Sequence, residues 1–195
     1  MSTTEVDPIR VVLVVADALE RLGVPHFVGG SLAGAVHGAV RATADADIVA
    51  DLRPGEVDGF VDAIEPWFYV DGEAVRHAVD ARRSFNVLHR SSMFKVDVFV
   101  TRGTAFDASQ MARRIRETVA EGPSGALYFA SAEDTILAKL AWYRSGGEVS
   151  ERQWSDVLAV IRTTGDGLDR PYILRWADSL DVLDLWHDAE TASRT

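Results

Sequence analysis

Between residues 45 and 51 the chain alternates strictly, with Ala46, Ile48 and Ala50 on one face and Asp45, Asp47, Val49 and Asp51 on the other. A period of two over this length belongs to a β-strand buried on one side. The pattern demands a sheet with a covered face, and it makes Asp45 and Asp47 point the same way. Neighbouring carboxylates both stay ionised only if a cation lies between them or water screens them. A second run, Phe94-Lys95-Val96-Asp97-Val98-Phe99-Val100, sets another carboxylate among apolar neighbours. If the two strands are adjacent, Asp45, Asp47 and Asp97 form one cradle. The alternative partner for Asp97 is Lys95, which shares its strand face, or a nearby arginine.

The surrounding sequence predicts helices and strands in alternation. Asp7-Pro8 caps and opens a helix that runs through Val11, Val15 and Leu19 to Gly23. Pro25–Val28 reads as a short buried strand that breaks into Gly29-Gly30-Ser31, with a helix from Leu32 to His37. Pro54 opens a helix to Ile64, followed by a weak strand over Trp67–Val70 and a helix from Gly72 to Arg82. Phe85–His89 and Phe94–Val100 are expected strands, and Ala105–Arg114 an expected helix. Short strands at Arg116–Val119 and Ala126–Phe129 flank a turn at Glu121-Gly122-Pro123-Ser124-Gly125.

From Ser131 onward the pattern is helical only. A capping-box-like Ser131-Ala132-Glu133-Asp134 opens a helix to Tyr143, and further helices are expected over Ser150–Thr163, Tyr172–Leu180 and Val182–Ala192. The expected class is α+β: a mixed sheet flanked by helices over residues 1–130, then an all-helical C-terminal region over 131–195. Trp142, Tyr143, Trp154, Tyr172, Trp176 and Trp186 fall at helical spacings and read as core. Glu151, Arg152 and Asp156 read as a solvated face, with the alternative that Asp156 approaches a site if its helix packs across a cleft.

At 195 residues and 47% hydrophobic the chain has enough apolar material for an ordinary core. The absence of cysteine excludes disulfide scaffolds, thiolate metal sites and thiol nucleophiles. A net charge of −10 opposes non-specific capture of nucleic acid. Arg82, Arg83, Arg90, Arg113, Arg114 and Arg116 concentrate basic charge in the middle third, where solvated positions are the expected reading. The opening residues from Met1 to Pro8 carry no basic region ahead of an apolar core, and no apolar run approaches the roughly 18–20 residues of a membrane span. The expectation is a cytoplasmic protein without a leader or membrane contact.

The Gly29-Gly30-Ser31 turn has what a phosphate needs: glycines that let the backbone approach, amides at a helix start, and a hydroxyl. Hard carboxylate oxygens without sulfur suit Mg²⁺ or Mn²⁺ better than zinc. Val28-Gly29-Gly30-Ser31, thirteen intervening residues, Asp45-Ala46-Asp47-Ile48 and the later Asp97 resemble the signature of the polymerase-beta-like nucleotidyltransferase superfamily. Within it, His37-Gly38 and Arg41-Ala42-Thr43-Ala44-Asp45-Ala46-Asp47 are similar to small bacterial and archaeal proteins related to minimal nucleotidyltransferases and AbiEii-type toxins. The resemblance extends to Ser131-Ala132-Glu133-Asp134 and Ile136-Leu137-Ala138-Lys139-Leu140, covering about residues 25–160.

That resemblance implies metal ligation by Asp45, Asp47 and Asp97, with Asp97 as a base. It implies phosphate contacts from Gly29, Gly30 and Ser31, although Ser31 also aligns as a helix cap. Arg41 is expected to brace the strand entry or touch phosphate. Lys139 is either a triphosphate contact or a solvated side chain. The implied reaction moves a nucleoside monophosphate from an NTP to a hydroxyl acceptor on a protein, an RNA end or a small molecule. The alternative is a non-catalytic nucleotide-binding or toxin–antitoxin regulatory module with a protein partner.

Overall fold

The computed structural model describes residues 7–121 and 125–194. The opening six residues, on which the leaderless reading partly rests, and Gly122-Pro123-Ser124 of the expected turn lie outside the described residues. In chain order the elements begin α1 (Pro8–Arg21), β1 (His26–Val28), α2 (Gly30–Val36), β2 (Asp45–Ala50), α3 (Val57–Ile64), β3 (Phe68–Tyr69) and α4 (Gly72–Asp80). They continue with β4 (Ser84–His89), β5 (Lys95–Val100), α5 (Ala105–Arg113), β6 (Ile115–Thr118) and β7 (Ala126–Phe129). The last four helices are α6 (Ala132–Ser145), α7 (Glu151–Thr164), α8 (Arg170–Ser179) and α9 (Leu183–Ser193).

These elements form two compact units, Met1–Val28 with Thr43–Phe129, and Gly29–Ala42 with Ala130–Thr195. The first contains the sheet, in the order β3-β4-β5-β2-β1-β7-β6. It is mixed: β2 runs parallel to β5 and β1 to β7, while the other neighbours are antiparallel. This is an α+β fold with a helical C-terminal part. Among the described residues no helix is long and apolar enough to cross a membrane.

Local chemistry explains the elements that frame the sheet. The Asp7 carboxylate accepts from the Ile9 N–H at 3.0 Å and Pro8 occupies the first turn, so α1 starts as its sequence requires. Val11, Val12, Val15 and Leu19 on α1 are buried, each worth about 1.5–3 kcal/mol relative to exposure. Pro54 starts a single 3₁₀ turn, so α3 itself begins at Val57. β3 pairs only Phe68 with His89 and Tyr69 with Leu88, which makes it shorter than the Trp67–Val70 strand expected. The arginines are tied locally: Arg82 donates to the Thr101 carbonyl at 2.8 Å, Arg90 lies 4.5 Å from the Tyr69 ring centre and Arg114 lies 4.7 Å from that of Tyr128.

The second unit packs α2 on α6, α6 on α7 and α8, and α9 on α7 and α8. Ile136, Leu137, Leu140, Val157, Val160, Ile173 and Trp186 fill its core. Ser131 is the N-cap of α6; its hydroxyl accepts from the Asp134 N–H at 3.1 Å and donates to the Asp134 carboxylate at 2.9 Å. The Tyr172 hydroxyl donates to the other Asp134 oxygen at 2.7 Å, so this fully buried carboxylate joins α6 to α8. The core assignment of the aromatics fails at Trp142, which is 60% exposed, because the face of α6 that meets its neighbours carries Ile136, Lys139 and Leu140 instead.

Two substitutions test this unit. Tyr172→Phe removes one donor from a buried acceptor and should cost about 1–3 kcal/mol in denaturant unfolding. Gly38 has φ +98°, and a Cβ there would stand 2.7 Å from the Thr163 Cβ, where no side-chain rotation brings relief. Gly38→Ala should therefore cost about 2–4 kcal/mol by the same measurement. Thr163→Ala should recover only part of that loss, because the Cβ–Cβ contact and the backbone strain both remain.

Candidate functional site

The alternation read in β2 and β5 becomes geometry through their pairing. In the parallel ladder Asp45 lies opposite Lys95, Asp47 opposite Asp97 and Val49 opposite Phe99. The intervening Ala46, Ile48, Val96 and Val98 are at most 1% exposed, so the register is held by burial. A slip by one residue would turn every one of these side chains to the other face. Asp45, Asp47 and Asp97 consequently stand on one face of two adjacent strands. Across the antiparallel β4–β5 ladder, Asn86 faces Asp97 and Leu88 faces Lys95. Asn86 extends the row Asp47–Asp97 by a third strand. Its exposed position was readable from the alternation of Phe85 and Val87, but its neighbours were not.

Lys95 lies inside the acidic group. Its ammonium is 2.7 Å from Asp97 Oδ2 and 3.8 Å from Asp45 Oδ2. The hydrogen bond to Asp97, with the charges of Asp97, Asp45 and Asp47 behind it, holds the lysine above its ordinary value of 10.5. The Asp45 side chain is 46% exposed and accepts from the Thr43 hydroxyl at 3.2 Å, while Asp97 is 20% exposed.

The donor set fits a hard divalent cation. The candidate donors are carboxylate oxygens on a single face, and an ammonium lies within 3.8 Å of two of the three acids. As placed, among the described residues no three acidic or imidazole groups converge closely enough to hold an ion. Adjacent strands lie about 5 Å apart and alternate residues about 6.6 Å, so an ion shared by the three carboxylates requires these side chains to rotate from their present positions.

In the second unit, the other residues singled out in the sequence belong to one network. Gly29 is the N-cap of α2 and Gly30 has φ +56°, a conformation that favours glycine. Ser31 is therefore inside the helix rather than its cap, and its hydroxyl accepts from Arg41 Nη2. Arg41 Nε donates to Asp156 Oδ2 at 3.2 Å, and Lys139 Nζ donates to the same oxygen at 2.7 Å and to Gln153 Oε1 at 3.3 Å. The Lys139 stem lies over Gly34, where a Cβ would meet its Cε at 3.4 Å.

Two expectations change here. Lys139 is only 4% exposed and is not a solvated side chain. Asp156, at 6%, does not belong to a solvated face, while Glu151 and Arg152 are exposed. The signal was present, since Asp156 precedes buried Val157 and stands one turn before buried Val160. The result is one carboxylate shared by two cations beside a hydroxyl, a cluster with one net positive charge. His26 and His37 have backbone carbonyl partners, Val24 at 2.9 Å and Ala130 at 2.8 Å.

No protein-family profile matches the sequence, and no curated protein matches it. Solved structures do. An antigenic nucleotidyltransferase-like protein from Paracoccidioides brasiliensis matches with a TM-score of 0.57 at 15% identity, over 98% of this chain and 94% of that one. The antibiotic-resistance factor ANT(2'')-Ia, in its solution structure, matches with a TM-score of 0.55 at 12% identity, over 96% of this chain and 99% of that one. Identities this low speak to architecture, and the architecture the chain shares with these proteins is the nucleotidyltransferase fold.

Proposed function

We propose that the chain transfers a nucleoside monophosphate from an NTP to a hydroxyl acceptor, with Mg²⁺ or Mn²⁺ held by Asp45, Asp47 and Asp97. The observation that carries this reading is the Asp47–Asp97 register on a nucleotidyltransferase fold, which aligns three acids on one exposed face. When bound, the metal neutralises phosphate charge and acidifies the attacking hydroxyl. Asp97, less exposed than Asp45, receives the acceptor proton. The acceptor oxygen bonds to the α-phosphorus, the bond to the bridging oxygen breaks, and pyrophosphate leaves. Arg41 and the Ser31 hydroxyl, with the Gly29 and Gly30 backbone, supply the contacts to the phosphates, and buried Lys139 positions Arg41 through the Asp156 carboxylate they share.

For the acceptor, the fold likeness to an antibiotic-resistance factor supports a small molecule such as an antibiotic. A protein side chain is the second candidate acceptor, in keeping with the similarity of the stretch from Arg41 to Asp47 to AbiEii-type toxins. The net charge of −10 makes an RNA end the least favoured of the three.

Incubation with α-labelled NTPs, Mg²⁺ and cell extract should give label transfer that EDTA abolishes. Asp45→Asn and Asp47→Asn should each lower it at least about a thousandfold, because several kcal/mol of charge stabilisation are lost. Transfer that persists in either variant, or in EDTA, would reject the proposal. Arg41→Met should weaken ATP binding by about tenfold in calorimetry, since Lys139 still pairs Asp156 and the fold survives. Unchanged ATP affinity would remove Arg41 from the phosphate contacts.

A further inference from the structure

The register that aligns the acids also commits a lysine to their midst. Lys95 is two residues from Asp97 on β5 and directly opposite Asp45 on β2, so it faces the same way as all three carboxylates. Three acids and one ammonium leave a net charge of −2 on this face, and without the ammonium the repulsion between neighbouring carboxylates is uncompensated. The ammonium is closest to Asp97, at 2.7 Å, and reaches toward Asp45, at 3.8 Å. The side chain is 39% exposed, so nothing encloses it, and its four-carbon stem allows it to leave.

An ammonium and a divalent ion placed here draw on the same lone pairs, most directly those of Asp97 Oδ2. We propose that Lys95 is a tethered stand-in for the metal: it holds the carboxylate row together when no divalent ion is bound, and must give up Asp97 for one to enter. This rests on the metal-binding reading of Asp45, Asp47 and Asp97 and adds a regulator of that site. Because the competitor is attached to the strand, it is always present at high local concentration, and no dilution removes it. The consequence is a lowered affinity for free divalent ions. An incoming metal that carries a polyphosphate meets less resistance, since the displaced ammonium gains an anionic partner as it loses a carboxylate.

The test is Mn²⁺ binding, followed by electron paramagnetic resonance, in the full chain and in Lys95→Gln and Lys95→Arg. Lys95→Gln should bind Mn²⁺ about tenfold more tightly, as removal of one close positive charge predicts, and Lys95→Arg should stay near the unmodified protein. In EDTA, Lys95→Gln should melt at a lower temperature than the unmodified protein, and added Mn²⁺ should close that gap. Equal or weaker Mn²⁺ binding by Lys95→Gln, with the unmodified protein binding the ion, overturns the stand-in role and leaves the metal site intact. If none of the three binds Mn²⁺, the metal site itself fails and the stand-in role falls with it.

Discussion

The alignment of β2 with β5 is the constraint on which the remainder of the first unit depends. Two strands separated by a helix, a short strand, another helix and a third strand must meet in parallel, with no turn to set their offset. Burial sets it instead, through Ala46, Ile48 and Ala50 on one strand and Val96, Val98 and Val100 on the other. The apolar side chains thus do a polar job. They leave Asp45, Asp47, Lys95 and Asp97 no choice of face, and the chemistry of the exposed side follows from packing on the hidden side.

Both units settle their charges internally. In the first, an ammonium lies among three carboxylates; in the second, a carboxylate lies between a guanidinium and an ammonium. The two clusters differ in burial. Lys95 and Asp45 are open to water, where an ion pair is weak and exchangeable. Lys139 and Asp156 are almost wholly enclosed, so breaking that pair leaves a charge without solvent. The first cluster is arranged to exchange partners and the second to hold its shape.

Much of the fold was legible because it obeys local rules. Asp7-Pro8 caps α1, Ser131 caps α6, and the period of two in β2 and β5 defines the covered face without reference to any other part of the chain. What escaped reading depends on contacts distant in sequence. The pairing of Lys139 with Asp156 needs α6 to meet α7, and an isolated lysine beside Leu137 and Leu140 gives no sign of it. Trp142 looked like core because aromatic residues at helical spacing usually are, yet α6 turns that position outward. β3 shrank to two residues because only Phe68 and Tyr69 find partners on β4. For the acidic row, the shared face of Asp45 and Asp47 was readable, whereas the neighbours of Asp97, Lys95 on one side and Asn86 across the ladder, required the register.

The short helix α2 is grouped with the C-terminal helices although it is made far earlier in the chain. It packs against α6, and its Gly34 makes room for the Lys139 stem. During synthesis α2 emerges from the ribosome and has to wait for its binding surface while the whole sheet is translated. The C-terminal helices, for their part, are not an independent module: a fragment containing them alone would expose the surface meant for α2, and a swap or fusion that breaks the chain ahead of α6 would separate Arg41 and Ser31 from Asp156. The effects of substitutions at Ser31 or Arg41 and at Asp156 are accordingly coupled, although the two segments are far apart in the sequence.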